Sequence, residues 1–284
     1  RVTMVRQRLG RDAGHGHGHR EKWICERQQC HDQRGEKHGP ELAADLPHFG
    51  PEPVAPLGLV PRALVLALAG RIRFDADRAA GVVPVAAVAT AGTTLTGAVD
   101  PIDALADVCA SRGVWLHVDG AYGVAAASTP SAAHLFAGLD RADSVTLDAH
   151  KWLFLPKACG VVLVRRHEHL HGALAHEEDY IPHERPDHHM VDITLEYSRP
   201  FRALKLWLAF RAHGADAIRD AIERNLRQAR LLHDEVAACD DFELLCGEPP
   251  LSVVPFRHVP AGVTDLDDHN LRLVAALQET GDVW

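Results

Sequence analysis

"SVTLDAHKWLFLP", residues 144–156, decides how this chain is interpreted. It begins as an apolar strand and passes directly into Asp148, His150 and Lys151. Lysine is almost never fully buried without a partner, because a desolvated ammonium group is costly. A lysine placed directly after a buried strand therefore predicts a compensating group nearby, either an ion-pair partner or a bound ligand.

The segments around this stretch alternate between strand and helix patterns. Continuous apolar runs are typical of strands covered on both faces, and they predict strands at 82–90, 114–119, 144–148 and 160–166. A helix is predicted over 101–112, with Asp100 as N-cap and Pro101 at the first helical position. Residues 120–143 are long enough for a crossover helix. The alternation predicts an α/β fold with a largely parallel central sheet and flanking helices.

The chain divides into three parts by composition and hydrophobic pattern. Residues 1–75 are polar and lack a strand or helix period, so we expect an atypical, disordered or aberrant segment. Residues 76–239 are expected to form a large domain, and residues 240–284 the start of a small C-terminal α+β domain that is cut short. Further elements are expected in this order: an exposed loop at 175–192, helices at 200–214 and 215–239, and paired strands within 242–258.

Composition excludes several classes of protein. Of the 284 residues 46% are hydrophobic and 24% charged, which is ordinary for a soluble globular protein. The formal charge of −9 argues against a nucleic-acid partner. The apolar stretch 57–70 is broken by Pro61 and Arg62 and is too short to cross a membrane. No signal peptide is visible and the six cysteines are scattered, so we expect a cytoplasmic protein with free thiols.

A metal site is not expected. His15, His17 and His19 alternate with glycine, but no carboxylate or cysteine stands near them at ligand spacing.

Chemically active side chains follow three of the predicted strands. Thr90 ends the first strand, Asp119 ends the second, and Asp148, His150 and Lys151 follow the third. In an open α/β sheet, ligands bind at the carboxyl ends of the strands, so these side chains are expected to converge on one edge. We also expect the small residues after Asp119 to leave room for a ligand there.

Three structural interpretations compete with a ligand site. Asp119 and Lys151 are also suited to a simple ion pair, and Asp148 to an N-cap for the segment that follows. His150 is also suited to be a hydrogen-bonded core histidine. A pyridoxal phosphate site nevertheless explains the set as a whole: a lysine forms the Schiff base, a carboxylate holds the pyridine nitrogen protonated, and small residues flank the ring.

Three motifs carry a family resemblance. "VATAGTTLTGAVDP", "WLHVDGAYG" and "DSVTLDAHKWLF" resemble the successive signatures of the group II pyridoxal-phosphate-dependent amino-acid decarboxylases, and "YSRPFRALKLW" (197–207) is similar to that family too. The resemblance covers residues 80–245 and is nearest to the aromatic-L-amino-acid decarboxylases. It implies the type I aminotransferase-like PLP-dependent transferase fold, a homodimer, and decarboxylation of an L-amino acid, aromatic favoured, to its amine and CO2.

The resemblance also implies roles for the residues at the strand ends. Lys151 would carry pyridoxal 5′-phosphate as an internal aldimine, and Asp119 would pair with the pyridine nitrogen. Ala121 would pack on one face of the ring, and Thr90 would lie near the O3′ atom or the ring edge.

Further roles follow from the resemblance near the phosphate and in the loop. Asp148 and His150 would line the phosphate side of the cofactor. Tyr180, in the expected loop, would return a proton to the substrate Cα, with help from His150, and would reach into the neighbouring subunit. Arg199 is a candidate for binding a phosphate or carboxylate, and a solvated arginine is the alternative.

Residues 1–75 depart from the family pattern. The family's phosphate-binding loop is not evident there, and His38 is the candidate for the histidine that stacks on the pyridine ring. A truncated, misassembled or frame-shifted segment would explain the departure, so we expect a fragment. Two alternatives to decarboxylation stay open: other PLP chemistry such as oxidative deamination or transamination, and a fragment that does not retain the cofactor.

Overall fold

A mixed sheet forms the centre of the computed structural model, which describes residues 3–8, 73–175, 190–196 and 198–282. The sheet has five strands in the order β1 (Thr3–Arg8), β2 (Val82–Thr90), β3 (Trp115–Asp119), β4 (Ser144–Asp148) and β5 (Gly160–Val164). Strands β2, β3 and β4 run parallel, while β1 and β5 pair antiparallel at the two edges. The α/β architecture is confirmed, but β5 runs antiparallel because the connection from β4 is too short for a crossover.

Helix α1 (Ile102–Ala110) links β2 to β3 and buries the face predicted for it, including Ile102, Leu105 and Cys109. The predicted cap is wrong: Pro101 occupies the N-cap position. The Asp100 carboxylate accepts a hydrogen bond from the Thr90 backbone N–H at 2.8 Å, so it braces the end of β2.

The crossover from β3 to β4 contains short 3₁₀ helices in place of the predicted α-helix. They span Gly123–Ser128, Ala133–Phe136 and Leu139–Arg141. Pro130 lacks a backbone N–H and interrupts helical hydrogen bonding between the first two. Gly138 has φ +84° and lies so close to α1 that a Cβ would come within 2.4 Å of Asp103 Cα, so only glycine fits.

The remaining helices follow the sheet. Helix α2 (Ala149–Trp152) is a single turn directly after β4, and α3 (His167–Leu174) follows β5. After a 3₁₀ turn at Met190–Ile193, helix α4 (Arg202–Ala237) merges the two predicted helices. They are distinguishable within it because Gly214 has non-helical angles of φ 80° and ψ 160°.

The C-terminal part forms a two-stranded sheet and a helix. Strands β6 (Phe242–Leu244) and β7 (Phe256–His258) pair antiparallel, which confirms the predicted strand pair. Helix α5 (Leu266–Thr280) begins after Asp265, whose carboxylate accepts from the Asp268 N–H at 3.0 Å.

The main core lies between the sheet, α1 and the second half of α4. Its fully buried members include Leu116, Val118 and Ile222. Leu251, from the connection between β6 and β7, is 1% exposed and belongs to the same core. The two predicted domains therefore share a packed contact. In the described ranges, no helix has both the length and the apolar character needed to span a bilayer.

Candidate active site

The carboxyl ends of β2, β3 and β4 meet at one level. Thr90 is the Cα partner of Asp119, and Asp119 is the partner of Thr146 on the next strand. Backbone hydrogen bonds continue this alignment past the strand ends, from Ala91 N–H to the Asp119 carbonyl at 2.8 Å and from Gly120 N–H to the Thr146 carbonyl at 3.1 Å. The structure thus brings Thr90 and Asp119 side by side, as the sequence predicts.

The Asp119 carboxylate is exposed at this edge. Its Oδ1 atom accepts from the Ala121 backbone N–H at 3.2 Å and from the Thr146 hydroxyl at 3.4 Å. Two donors on one oxygen orient the carboxylate. The rest of the group stays open to a ligand that carries a proton on a ring nitrogen.

Lys151 lies on α2, one turn after the end of β4. Its Nζ atom is 2.9 Å from Asp148 Oδ2, with the lysine side chain 45% and the aspartate side chain 27% exposed. The ion pair therefore forms with Asp148, and the alternative pairing with Asp119 is wrong. Asp148 does occupy the N-cap position of α2, but its side chain makes no capping hydrogen bond. Such a part-exposed pair contributes at most about 1 kcal/mol, so Lys151 is readily released from it.

His150 is held by the backbone of the residue that precedes β5. Its Nδ1 atom accepts from the Cys159 N–H at 3.1 Å. In the neutral imidazole the proton is then on Nε2, which lies 3.9 Å from Asp148 Oδ2. The side chain is 18% exposed, so His150 is neither a fully buried core residue nor free to turn.

The glycines after Asp119 were expected to leave room for a ligand, but they serve close packing of the chain instead. A Cβ on Gly120 would come within 2.4 Å of Val124 Cβ, and one on Gly123 within 2.4 Å of the Ala91 carbonyl oxygen. These glycines let the turn lie close to its neighbours and leave no extra space. Ala121 is partly exposed beside the Asp119 carboxylate.

A second group of residues, missed by the sequence analysis, holds the turn that carries Lys151. The Trp152 ring stacks on Tyr122 with centroids 4.8 Å apart, and its Nε1 donates to Asn225 Oδ1 on α4 at 3.0 Å. Tyr122 Oη lies 2.5 Å from Ser252 Oγ, and burial raises the pKa of this phenol. Tyr122 and Trp152 belong to the motifs "GAY" and "HKW", so their place next to Asp119 and Lys151 was visible in the sequence. No sequence rule connects them to Asn225 or Ser252.

The remaining candidates are Arg199, which bonds within its own segment, and residues outside the described ranges. Arg199 donates to Thr194 Oγ1 at 3.2 Å and to the Glu196 carbonyl at 2.9 Å, within its own segment. Tyr180 and His38 lie outside the described residues, as do the three N-terminal histidines. In the part of the chain that the structure describes, no group of three or more His, Cys, Asp or Glu side chains is placed to hold a metal ion.

The donor set at the edge fits pyridoxal phosphate. It combines a primary amine (Lys151), an exposed carboxylate (Asp119) and a hydroxyl residue on the adjacent strand (Thr90). An aldehyde requires the amine, and a protonated ring nitrogen requires the carboxylate. The geometry and the chemistry therefore point to the same class of ligand.

Comparison with known proteins supports this assignment. Residues 65–259 match the family described as "Pyridoxal-dependent decarboxylase conserved domain". The chain is 36% identical over 212 residues to aromatic-L-amino-acid decarboxylase of Bacillus atrophaeus, covering 72% of this chain and 44% of that protein. It is 32% identical over 227 residues to phenylacetaldehyde synthase of a Rosa hybrid cultivar, covering 75% and 44%. The chain thus spans less than half the length of these relatives.

Solved structures show the same likeness. The crystal structure of Oryza sativa TDC with PLP and tryptamine has a TM-score of 0.70 at 32% identity, covering 77% of this chain and 46% of that one. Catharanthus roseus tryptophan decarboxylase in complex with L-tryptophan has a TM-score of 0.67 at 31% identity, covering 77% and 46%. These likenesses confirm the predicted type I aminotransferase-like fold.

Proposed function

We propose that this chain, which belongs to the pyridoxal-dependent decarboxylase family, carries the catalytic lysine of an enzyme that converts an aromatic L-amino acid into its amine and CO2. The observation that carries the proposal is the placement of Lys151 and Asp119 at the same sheet edge, within the residues that match the family. The preference for an aromatic substrate is supported by the relatives, which include aromatic-L-amino-acid and tryptophan decarboxylases.

Pyridoxal phosphate supplies, when bound, an aldehyde that condenses with amines and a ring that accepts the electrons released as CO2 leaves. Lys151 provides the amine at Nζ, which must be neutral to react. Asp119 would accept a hydrogen bond from the protonated ring nitrogen, and its two hydrogen-bond donors orient the carboxylate for that contact. Thr90 and Ala121 flank the ring.

Asp148 and His150 are proposed to line the phosphate side of the site. Asp148 also holds Lys151 through the 2.9 Å ion pair until the lysine reacts. Tyr180 is proposed to return a proton to the substrate Cα, with His150 in a supporting role.

The central test is covalent attachment. The chain should be incubated with pyridoxal phosphate, reduced with borohydride and mapped by peptide mass spectrometry. We expect a pyridoxyl group on Lys151 and its loss in Lys151→Ala, together with loss of CO2 release from an aromatic amino acid. Release should fall at least a hundredfold, because no other described amine lies next to Asp148.

Lys157→Ala is the matched control, since Lys157 is an exposed lysine on the connection between α2 and β5. This variant should keep the Lys151 modification and CO2 release. Equal labelling of Lys157 and Lys151, or no CO2 from the parent chain, would refute the proposal.

A second candidate function is aldehyde formation. It is favoured by the 32% identity to phenylacetaldehyde synthase of the Rosa hybrid cultivar. Product analysis separates the two, since a decarboxylase gives an amine and an aldehyde synthase gives an aldehyde. In air, Tyr180→Phe should shift the products of a decarboxylase towards aldehyde, because the proposed proton donor for Cα is lost. Dissolved O2 would take the two electrons left at Cα and become hydrogen peroxide, water would supply the aldehyde oxygen, and the nitrogen would leave as ammonia.

A homodimer is proposed from the apolar surface around the start of α4. Large apolar side chains there are 73%, 59% and 49% exposed, at Phe201, Trp207 and Leu208. An exposed apolar patch of this kind marks an interaction surface. Sedimentation velocity should give twice the chain mass.

A cytoplasmic location is proposed from the free thiols of Cys109, Cys159, Cys239 and Cys246. The proposed division at residue 239 separates the large domain from the small one.

A further inference from the structure

A row of polar side chains lies on one face of β3 and β4 behind Asp119. His117 and Asp119 are two residues apart on β3 and so point to the same face. Their Cα partners on β4 are Ser144 and Thr146. The fifth member, Trp115, lies two residues before His117 and shares that face. Cross-strand register therefore aligns these five side chains.

Contacts run through the row without interruption. Trp115 Nε1 donates to Ser144 Oγ at 2.9 Å, and His117 Nδ1 lies 2.7 Å from the same oxygen. His117 Nε2 lies 3.5 Å from Thr146 Oγ1, which in turn donates to Asp119 Oδ1 at 3.4 Å. The two contacts nearest Asp119 are longer, so they are the weaker ones.

The two ends of the row fix the direction of every hydrogen bond. An indole N–H only donates and an ionised carboxylate only accepts. The Thr146 hydroxyl donates its one proton to Asp119, so its oxygen accepts a hydrogen bond from His117 Nε2–H. His117 Nδ1 is then an acceptor for the Ser144 hydroxyl, and Ser144 accepts from Trp115. Each proton then has one acceptor, and all the hydrogen bonds of the row point in one consistent direction.

The electrostatics of His117 agree with this direction. Burial lowers the pKa of His117, and the Asp119 charge only partly opposes that effect. The imidazole is therefore neutral near pH 7, as a ring that donates from one nitrogen and accepts at the other requires.

We propose that His117 and Thr146 are positioning residues that aim the Asp119 carboxylate at the ring nitrogen of the cofactor. This inference rests on the proposed function, because it assigns a purpose to the orientation of Asp119. Loss of one neutral hydrogen bond typically costs about 1 kcal/mol, so removing the Thr146 hydroxyl should weaken retention of pyridoxal phosphate about three- to tenfold.

The first test uses the full chain without cofactor. Histidine ¹⁵N NMR, with His117→Gln to assign the signal, should show His117 as the Nε2–H tautomer. Thr146→Val should give a mixture of tautomers and move the Asp119 ¹³Cγ signal, while Thr146→Ser should leave both as in the parent. An Nδ1–H tautomer in the parent, or identical spectra for Thr146→Val and the parent, would overturn the inference.

The second test measures the dissociation constant of pyridoxal phosphate by equilibrium dialysis, together with the pH dependence of its visible absorption. Thr146→Val and His117→Phe should weaken binding and shift the absorption titration, and Thr146→Ser should restore both. Thr129→Val removes a buried hydroxyl that donates to the Ala126 carbonyl, outside the row, and should match the parent. If Thr129→Val and Thr146→Val behave alike, the effect is general loosening and the inference fails.

The two tests separate this inference from the proposed function. A parent chain that binds no pyridoxal phosphate would refute the function, while the NMR comparison would still decide whether His117 and Thr146 position Asp119.

Discussion

The two halves of helix α4, on either side of Gly214, have the same kind of sequence and opposite surroundings. In the second half Ile222 and Leu226 are 0% and 2% exposed. In the first half Trp207 and Leu208 are 59% and 49% exposed. Both halves carry apolar residues at helical spacing, so the contrast comes from what lies against each half.

The second half packs into the main core through its contacts with the 3₁₀ crossover and the sheet. The first half packs against a smaller cluster around Leu155 and Cys159, and Lys205 Nζ donates to the Pro156 carbonyl at 2.8 Å. A cavity of about 380 Å³ remains between them, lined by residues such as Leu155 and Ala209. The comparison shows that apolar periodicity predicts a helix with an apolar face, while the partner of that face is set by the fold and by assembly.

The largest expected effect is on stability, and it differs between the two halves of α4. Ile222→Ala should lower the free energy of unfolding by about 2–5 kcal/mol, because it opens a cavity in a fully packed site. Leu208→Ala is the matched variant on the other half and, at protein concentrations where the chain is monomeric, should change it by less than about 0.5 kcal/mol. Urea unfolding monitored by circular dichroism measures both. Equal losses in the two variants would show that the first half is buried as well.

In the sheet too, the sequence predicted which segments form strands but not which neighbours cover them. The strand at 144–148 was predicted with its observed bounds, since an apolar run with clear ends is a local signal. The strand predicted at 160–166 ends at Val164 and was expected to be buried, yet Val162 and Leu163 are 54% and 58% exposed. An apolar run indicates a strand, but its place at the edge of the sheet depends on neighbours that sequence does not specify.

The candidate site divides in the same way. The placement of Thr90, Asp119 and Lys151 at one sheet edge was predictable, because the rule that ligands bind at strand ends needs only the order of strands. The contact of Thr146 with Asp119 was not, because it depends on the register between β3 and β4. The pairing of Lys151 with Asp148 depends on the path of a single helical turn.

The break between the halves gives the second prediction. Gly214 has φ +80°, and a Cβ there would meet no atom within 4 Å, so Gly214→Ala is opposed by backbone strain alone. The substitution should cost about 1–2 kcal/mol in unfolding free energy. Gly172→Ala is the control: Gly172 lies inside α3 with equal space, and alanine there should stabilise by about 0.5–1 kcal/mol. Thermal unfolding of the two variants should shift in opposite directions. A shared direction would mean that the left-handed geometry at Gly214 is not required.

The smallest effect concerns how the buried half is tied to the crossover. Glu223 accepts hydrogen bonds from the Ser131 backbone N–H at 3.0 Å and from Ser131 Oγ at 2.7 Å, and these donors lower the pKa of Glu223. A carboxyl whose pKa is lower in the folded state stabilises that state above the unfolded pKa, about 4.3. The contribution is lost as pH falls through the folded pKa. Because the group is close to solvent, we expect less than about 1 kcal/mol.

Glu223→Gln should therefore be less stable than the parent at pH 7, and the difference should shrink as the pH is lowered towards 3. Glu235→Gln, an exposed site on the same half of α4, should show no such trend. Urea midpoints across this pH range measure both variants. A difference that stays constant, or grows in acid, would mean that Ser131 does not favour the ionised form of Glu223. The two Ser131 hydrogen bonds would then tie the crossover to α4 without depending on the charge of Glu223.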